Sequence, residues 1–203
     1  MTLDQLRPYV SGLLDPFVSG FDRLGMTPNG VSLLAFGVAV LAAGAFLLGG
    51  RGAPVWFAAA AVLVFLNGWL DVIDGALARE QNVASTGGDL LDHVLDRYAD
   101  IVIIAGLAAG IEHYLLGFLA VTGVVMTSYL GTQAQAVGLE RVYGGLIGRA
   151  DRLVIIGLVG FLAYPLSGAY GGLTLIGWLL VFLAVVGHVT ALQRFYYAWA
   201  ALE

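Results

Sequence analysis

The chain alternates between long apolar stretches and short breaks that contain glycine, proline or charged residues. A membrane-spanning helix needs about 20 consecutive apolar residues, and residues of the break type end helices. The pattern therefore predicts an all-α fold, an integral membrane bundle of six transmembrane helices within residues 30–194. The predicted spans are residues 30–50, 54–77, 90–110, 115–137, 150–167 and 172–194. We expect residues 1–203 to form a single domain.

A shorter amphipathic pattern precedes the first predicted span, within residues 1–22. Apolar residues recur there near the helical period, with Asp4, Arg7 and Asp15 between them. The apolar positions are Leu3, Leu6, Val10, Leu13, Leu14, Phe17 and Val18. This pattern predicts an N-terminal interfacial helix that lies on the membrane surface.

The composition agrees with a membrane protein. Of the 203 residues, 60% are hydrophobic and only 11% are charged, which excludes an ordinary soluble domain. The mean hydropathy is +0.90. The net charge of −5 argues against nucleic-acid binding, and the absence of cysteine excludes disulfides and thiolate metal sites.

Four aspartates interrupt the apolar background between residues 71 and 96. One charged carboxylate at membrane depth costs about 2.5 to 3.5 kcal/mol, so four together indicate a water-filled cavity and compensating cations. Asp71 and Asp74 are spaced i,i+3, and Asp92 and Asp96 are spaced i,i+4, so each pair projects from one face of its helix. Hard divalent cations suit such a carboxylate set. The spacing predicts a site for Mg²⁺ or Mn²⁺, with two ions.

The residues between the two aspartate pairs indicate a phosphorylated ligand. Gly75 and Gly88 have no side chain, so a bulky ligand could approach the backbone there. Arg79 offers forked hydrogen bonds to phosphate oxygens, and Ser85 adds a hydroxyl. We therefore expect a diphosphate to bind beside the metal ions.

The aspartates lie in a complete motif, D-x2-D-G-x2-A-R-x8-G-x3-D-x3-D. Asp71, Asp74, Gly75, Ala78, Arg79, Gly88, Asp92 and Asp96 fill every fixed position. In this motif the chain resembles the CDP-alcohol phosphotransferases. Further elements of the resemblance are Thr27-Pro28-Asn29 with Ser32, Ser128-Tyr129, Arg149 with Arg152, and Gln193-Arg194.

The resemblance implies an enzyme of phospholipid biosynthesis, a transferase that moves a phosphatidyl or archaetidyl group from a CDP-linked lipid to a small polar alcohol and releases CMP. It implies that Asp71 and Asp92 each contact both ions, that Asp74 contacts one, and that Asp96 contacts the other and accepts the proton of the attacking hydroxyl. It also implies a set of donor-binding positions. These are Asn29, Gly30, Val31, Ser32, Gly75, Ala78, Arg79, Ser85 and Gly88.

The acceptor is less well specified by the sequence. Family members that use inositol phosphate carry a K-A-R-A-E stretch after the Ser-Tyr pair, where this chain has Gly-Thr-Gln133-Ala-Gln. Arg149, Arg152 and Arg194, together with Gln133, are predicted to form the acceptor pocket. We expect a polyol phosphate, either glycerol phosphate or inositol phosphate, and leave open an unphosphorylated alcohol such as serine, glycerol or inositol.

Arginine placement predicts the orientation in the cell membrane. Arg51 alone falls on one side of the six-span arrangement, and Arg97 falls within a span. The remaining arginines fall on the other side: Arg7, Arg23, Arg79, Arg141, Arg149, Arg152 and Arg194. The positive-inside rule then places both termini and the active site in the cytoplasm. A homodimer is expected chiefly from the resemblance, with small residues on the third and fourth spans that would permit close helix contact. These are Gly106, Ala108, Ala109, Gly110 and Gly123.

The charges at membrane depth are also compatible with a set of ion pairs, a proton path, a transporter or an ion channel. A scaffold protein or a membrane phosphatase is a further alternative. We expect too few arginines near the cluster to neutralise four aspartates, which argues against ion pairs alone. Asp89 and Asp100 match no motif position, and we expect them to cap the helix start and to pair with arginine. Arg97 is interpreted as a structural partner of a buried acid such as Asp100.

Overall fold

The computed structural model describes residues 7–140 and 145–203, with side chains from residue 14 onward. The described chain forms seven helices and one short hairpin. In order they are α1 (Arg7–Arg23), α2 (Pro28–Gly50), α3 (Val55–Glu80), α4 (Thr86–Gly110), α5 (Tyr114–Ala136), α6 (Arg149–Ala163), β1 (Ala169–Tyr170), β2 (Leu173–Thr174) and α7 (Leu175–Leu202). Leu3, Asp4, Leu6 and Arg141 of the sequence predictions lie outside the described residues.

The prediction of six membrane spans is wrong. Among the described helices, only α2, α3, α5 and α7 are long and apolar enough to cross a membrane. Helix α4 has the length, but it carries five charged residues between positions 89 and 100: Asp89, Asp92, Asp96, Arg97 and Asp100. Helix α6 has 15 residues, and at 1.5 Å per residue it extends about 22 Å, short of the roughly 30 Å hydrocarbon core. The apolar stretches located both helices, but they placed the end of α6 at residue 167 in place of Ala163, and α4 was counted as a span despite its charges.

Hydroxyl side chains set the starts of three helices. Thr27 accepts a hydrogen bond from the backbone N–H of Gly30 at 3.2 Å, and Pro28 occupies the first position of α2. Ser85 begins α4 in the same way, and Thr174 begins α7 through the N–H of Gly177. The caps of α2 and α4 lie at the end of the bundle where α3 finishes.

A two-residue turn interrupts the helices between α6 and α7, where the sequence indicated only a break. Strands β1 and β2 pair antiparallel, with Ala169 opposite Thr174. Gly171 and Gly172 form the turn with φ angles of 61° and 88°. Two consecutive positive φ angles favour glycine and match the twist of a tight hairpin. The predicted all-α fold therefore omits one small β element.

Two apolar clusters hold the helices together. The larger one joins α2, α3, α4, α5, α6 and α7 around residues such as Phe46, Ile103 and Leu180. The smaller one packs Leu14 and Val18 of α1 against α2 and α3. The predicted N-terminal helix is therefore present from Arg7, and its apolar face packs on the site end of the bundle.

Small residues allow the closest approaches between helices. A Cβ atom on Gly106 would overlap the backbone of Ala43, and one on Gly110 would lie 2.6 Å from the carbonyl oxygen of Phe46. Gly123 faces His188 of α7 in a similar way. These three glycines of the predicted dimer face therefore pack within the chain, against α2 and α7.

Candidate metal and diphosphate site

The end of α3 and the first half of α4 bring three motif aspartates together. Asp71, Asp74 and Asp92 each offer one carboxylate oxygen, and these oxygens lie within 4.8 Å of one another. Asp71 and Asp74 are one turn apart on α3, whereas Asp92 belongs to α4. A cluster of three carboxylates at this separation is a ligand set for a hard divalent cation. The fold therefore brings together three of the four carboxylates of the predicted metal site.

Arg149 links the fourth aspartate to this group. Its Nη1 lies 2.8 Å from Oδ1 of Asp71, and its Nη2 lies 2.9 Å from Oδ1 of Asp96. One guanidinium at the start of α6 thus bridges a carboxylate from α3 and one from α4. The four motif aspartates and Arg149 line one small cavity with Ser32 and Asn67.

Two polar residues beside the aspartates fix their surroundings. The Oγ of Ser32 donates a hydrogen bond of 2.6 Å to Oδ2 of Asp74, which is 5% exposed. Asn67 lies one turn before Asp71, and its Nδ2 donates to the backbone oxygen of Ala35 at 2.9 Å. The Asn67 Oδ1 is buried, has no hydrogen-bond partner among the described residues, and belongs to a residue that lines the cavity. Sequence reasoning missed Asn67, although its i,i+4 spacing from Asp71 places it on the same helix face.

Asp100 is the centre of a second charged group, which is joined to the first one through Arg149. Its Oδ2 accepts a 2.8 Å hydrogen bond from Nη2 of Arg152 and lies 4.0 Å from Nε of Arg97. Its Oδ1 lies 3.7 Å from Nε of Arg149. The expected pairing of Asp100 and Arg97 is present at this longer distance. Among the described residues, Arg97 and Arg149 are the arginines that pair with the four motif aspartates, so two cations face four carboxylates, in agreement with the expectation that too few arginines lie near the cluster to neutralise it.

The four predicted acceptor residues lie in different environments. Arg149 is at the carboxylate cluster, whereas Arg152 is 3% exposed and paired with Asp100. Arg194 of α7 donates from Nη1 to the backbone oxygen of Thr127 at 2.8 Å. Gln133 lies near the end of α5 and is partly buried. The structure therefore brings Arg149 to the aspartates and pairs the buried Arg152 with Asp100.

The predicted donor positions meet where α2 and α4 begin and α3 ends. Gly88 leaves space beside Asn29, since a Cβ on it would lie 3.3 Å from the Asn29 Oδ1. Ser85 Oγ caps α4 by accepting from the N–H of Gly88 at 3.1 Å. Gly75 lies beside the Arg79 guanidinium, with 3.6 Å between the position of a Cβ and Nη1. Gly75 and Gly88 therefore lie beside polar side chains of the other predicted donor positions.

Two other donor positions face away from solvent or have small side chains. Val31 is 0% exposed and packs with Ile73 and Leu77 in the smaller apolar cluster. Ala78 is partly buried one residue before Arg79. In these positions only the backbone or a methyl group is available to a ligand.

The fold and the site together define a helical integral membrane protein with an acidic metal centre at one end of its bundle. The family model of the CDP-alcohol phosphatidyltransferases matches residues 25–190, which include the whole carboxylate cluster. The chain therefore belongs to the CDP-alcohol phosphatidyltransferase family. The family assignment confirms the predicted resemblance and identifies the chain as a transferase.

Relatives from archaea and bacteria align over most of the chain. The archaetidylinositol phosphate synthase of Methanothermobacter thermautotrophicus is 32% identical over 206 residues, covering 99% of this chain and 96% of the relative. The phosphatidylinositol phosphate synthase of Streptomyces avermitilis is 33% identical over 197 residues, covering 93% of this chain and 78% of the relative. Both identities agree with a shared fold over the whole bundle.

Crystal structures of the phosphatidylinositol phosphate synthase PgsA1 of Mycobacterium tuberculosis have the same fold. The structure with CDP-DAG bound matches with a TM-score of 0.78 and 27% sequence identity, over 92% of this chain and 93% of that one. A second structure, in complex with manganese and citrate, has the same TM-score and identity, over 92% of this chain and 88% of that one.

Proposed function

We propose that this transferase uses inositol phosphate as the acceptor for the lipid phosphate of a CDP-linked lipid. In the reaction, the acceptor hydroxyl oxygen bonds to the lipid-bearing phosphorus, and the bond from that phosphorus to CMP breaks. The hydroxyl proton goes to a carboxylate, and CMP leaves. The observation that supports this chemistry best is the convergence of Asp71, Asp74 and Asp92 within 4.8 Å, beside Asp96 and Arg149.

The metal cofactor is Mg²⁺ or Mn²⁺, in agreement with the carboxylate ligands and with the manganese in the related structure. We assign the ligand roles to the four motif aspartates, of which Asp71 and Asp92 would help to hold both ions. Asp74 would hold one ion and Asp96 the other. When bound, the ions supply the positive charge that neutralises the diphosphate and the leaving CMP.

Asp96 is the proposed proton acceptor. Its side chain is partly buried, and its Oδ2 lies 3.4 Å from Nη2 of Arg97. Its Oδ1 lies 2.9 Å from Arg149, which fixes the direction of the carboxylate. A carboxylate at this position can take a proton from a hydroxyl group held beside it.

The donor is proposed to lie across the starts of α2 and α4, with its lipid tails in the bilayer. Asn29, Gly30, Ser32 and the backbone of Val31 would border the cytidine diphosphate from α2. The remaining proposed contacts come from α3 and α4: Gly75, Ala78, Arg79, Ser85 and Gly88. Arg79 is exposed and can reach a phosphate oxygen, which favours a charge-assisted contact there.

The acceptor phosphate is proposed to bind at Arg149, with Arg194 and Gln133 completing the pocket. The products named for the archaeal and bacterial relatives contain an inositol phosphate, which favours this acceptor over glycerol phosphate. A guanidinium can bind a phosphate through two parallel hydrogen bonds. Arg149 presents both of its Nη atoms to the site, which agrees with such a role.

The chain is an integral membrane protein, and we propose that the site faces the cytoplasm. Arg23 at the end of α1, Arg79 near the end of α3 and Arg149 at the start of α6 lie at this end of the bundle, which agrees with the positive-inside rule. We also propose one domain for residues 1–203 and a homodimer in the membrane. The dimer proposal rests on the family alone, because Gly106 and Gly110 pack within the chain.

The proposal is tested with purified protein in nanodiscs by measuring CMP release. CDP-diacylglycerol and CDP-archaeol are offered as donors, each with inositol phosphate, glycerol phosphate, inositol, glycerol or serine, with Mn²⁺ and with EDTA. We expect metal-dependent CMP release and a lipid product that contains inositol phosphate. Turnover with another acceptor alone would contradict the proposed acceptor. CMP release that needs no acceptor would indicate a hydrolase, and none with any pair would favour a transporter or scaffold.

A further inference from the structure

Asp100 contacts more cations than any role in the motif requires. It is 5% exposed, lies one turn beyond Asp96 on α4, and has three arginines within 4.0 Å. Two of them, Arg149 and Arg152, come from the first turn of α6. Asp100 therefore joins α4 to α6 through ion pairs. A buried charge left without its partner would destabilise this contact.

Asp100 lies beside the Nε atom of Arg149, whereas the two Nη atoms of this arginine contact the motif aspartates. Asp100 lies 3.7 Å from Nε, too long for a hydrogen bond, so its attraction for that edge of the guanidinium is electrostatic. The two Nη atoms contact Asp71 and Asp96 instead. The arginine is thus held between a carboxylate behind it and the carboxylates of the metal site.

Asp100 also restrains Arg152. The Arg152 guanidinium donates a 2.8 Å hydrogen bond to Asp100, and its side chain is almost fully buried. Without this partner, the positive charge of Arg152 would be drawn toward the carboxylates of the metal site, with which Arg149 is paired. Such a rearrangement would change the position of Arg149.

We propose that Asp100 is a positioning residue for the acceptor pocket, which holds Arg149 with both Nη atoms toward the reacting groups and keeps Arg152 behind it. This inference rests on the proposed role of Arg149 in binding the acceptor phosphate. Asp100 itself contacts neither substrate. Arg152 then acts through Asp100 and Arg149 and does not contact the acceptor.

The test compares Asp100→Asn with Asp89→Asn in nanodiscs. Asp89 is a matched control, since it lies on the same helix, is exposed and fills no motif position. We expect Asp100→Asn to raise the KM for inositol phosphate by about tenfold, the effect of losing one charge-assisted contact between Arg149 and the acceptor phosphate. The KM for the CDP-lipid should stay near that of the control. Asp100→Glu, which keeps the charge, should recover part of the acceptor affinity. A purely structural defect would lower the amount of active protein and leave both KM values unchanged, which would overturn the inference.

A double variant covers the case in which Asp100→Asn does not fold. Asp100→Asn with Arg152→Gln removes both charges of the buried pair, so neither partner is left as an unpaired charge. The acceptor KM should still rise, because Arg149 has lost the carboxylate behind it. An acceptor KM equal to the Asp89→Asn value in either variant, with active wild-type enzyme, would overturn the inference alone. Wild-type protein without turnover on any acceptor would overturn the proposed function and this inference together.

Discussion

The hydrogen bond from Ser32 to Asp74 should control metal affinity, and Ser32→Ala tests this. The 2.6 Å bond joins α2 to a motif carboxylate that is 5% exposed, so water has little access to replace the lost donor. A hydrogen bond to a charged group contributes about 1.5 to 3 kcal/mol. If this energy is lost from the metal-bound state, the Mn²⁺ dissociation constant should rise about ten- to a hundredfold.

The assay is a Mn²⁺ titration of purified protein by calorimetry, together with the metal dependence of CMP release. Ser32→Ala should need more metal for half-maximal rate, whereas the rate at saturating metal should stay close to that of the wild type. Ser167→Ala is the matched control, because Ser167 is exposed and lies beyond α6 at the opposite end of the bundle.

An unchanged Mn²⁺ dissociation constant in Ser32→Ala would refute this reasoning. If the KM for the CDP-lipid rose while the Mn²⁺ dissociation constant stayed the same, only the proposed donor contact of Ser32 would remain. The two readouts therefore separate a residue that orients a metal ligand from one that touches the donor.

Three further sets of variants test the carboxylate cluster and the packing beside it. Asp96→Asn should lower turnover about a hundredfold or more with nearly unchanged CDP-lipid affinity, measured by kinetics and equilibrium binding; near-normal turnover would exclude Asp96 as the base. Asp71→Asn and Asp92→Asn should each raise the Mn²⁺ concentration for half-maximal rate, and an identical metal titration would argue against two ions. Gly106→Ala should lower the free energy of unfolding by about 1 to 3 kcal/mol in a thermal unfolding assay, because its Cβ would overlap the α2 backbone. Gly44→Ala is the control and should not lower the free energy of unfolding in this way, because a Cβ at Gly44 has open space.

The helices could be located from the sequence because their signals are local. Thr27-Pro28 and Ser85 begin α2 and α4 through caps that involve only neighbouring residues. The predicted number of membrane spans is wrong because an apolar stretch in the sequence does not show where a helix ends, and because α4 was counted as a span despite its charges. Helix α6 has the apolar pattern of a span but starts at Arg149, whose charge belongs to the buried site.

The clustering of Asp71, Asp74 and Asp92 could be predicted because the spacing of the aspartates within α3 and α4 sets the direction of their side chains. The arginines could not be placed in the same way. Whether Arg149 or Arg152 faces the aspartates depends on how α6 packs against α3 and α4, which is a contact between distant segments of the chain. Asn67 was missed because an amide in an apolar helix is usually a core residue with all its hydrogen bonds formed. Only the structure places it in the cavity that the motif aspartates line.

The close packing of α4 on α2 limits which substitutions this protein can accept. An outward-facing position needs only to remain apolar, so many residues can replace one another there. At Gly106 and Gly110 the backbone of α2 occupies the space that any side chain would need, so a single substitution must displace one helix from the other. Such a displacement would move Asp92 and Asp96 on α4 relative to Ser32 on α2. These two glycines, far from the reaction, therefore fix the register that the metal site depends on.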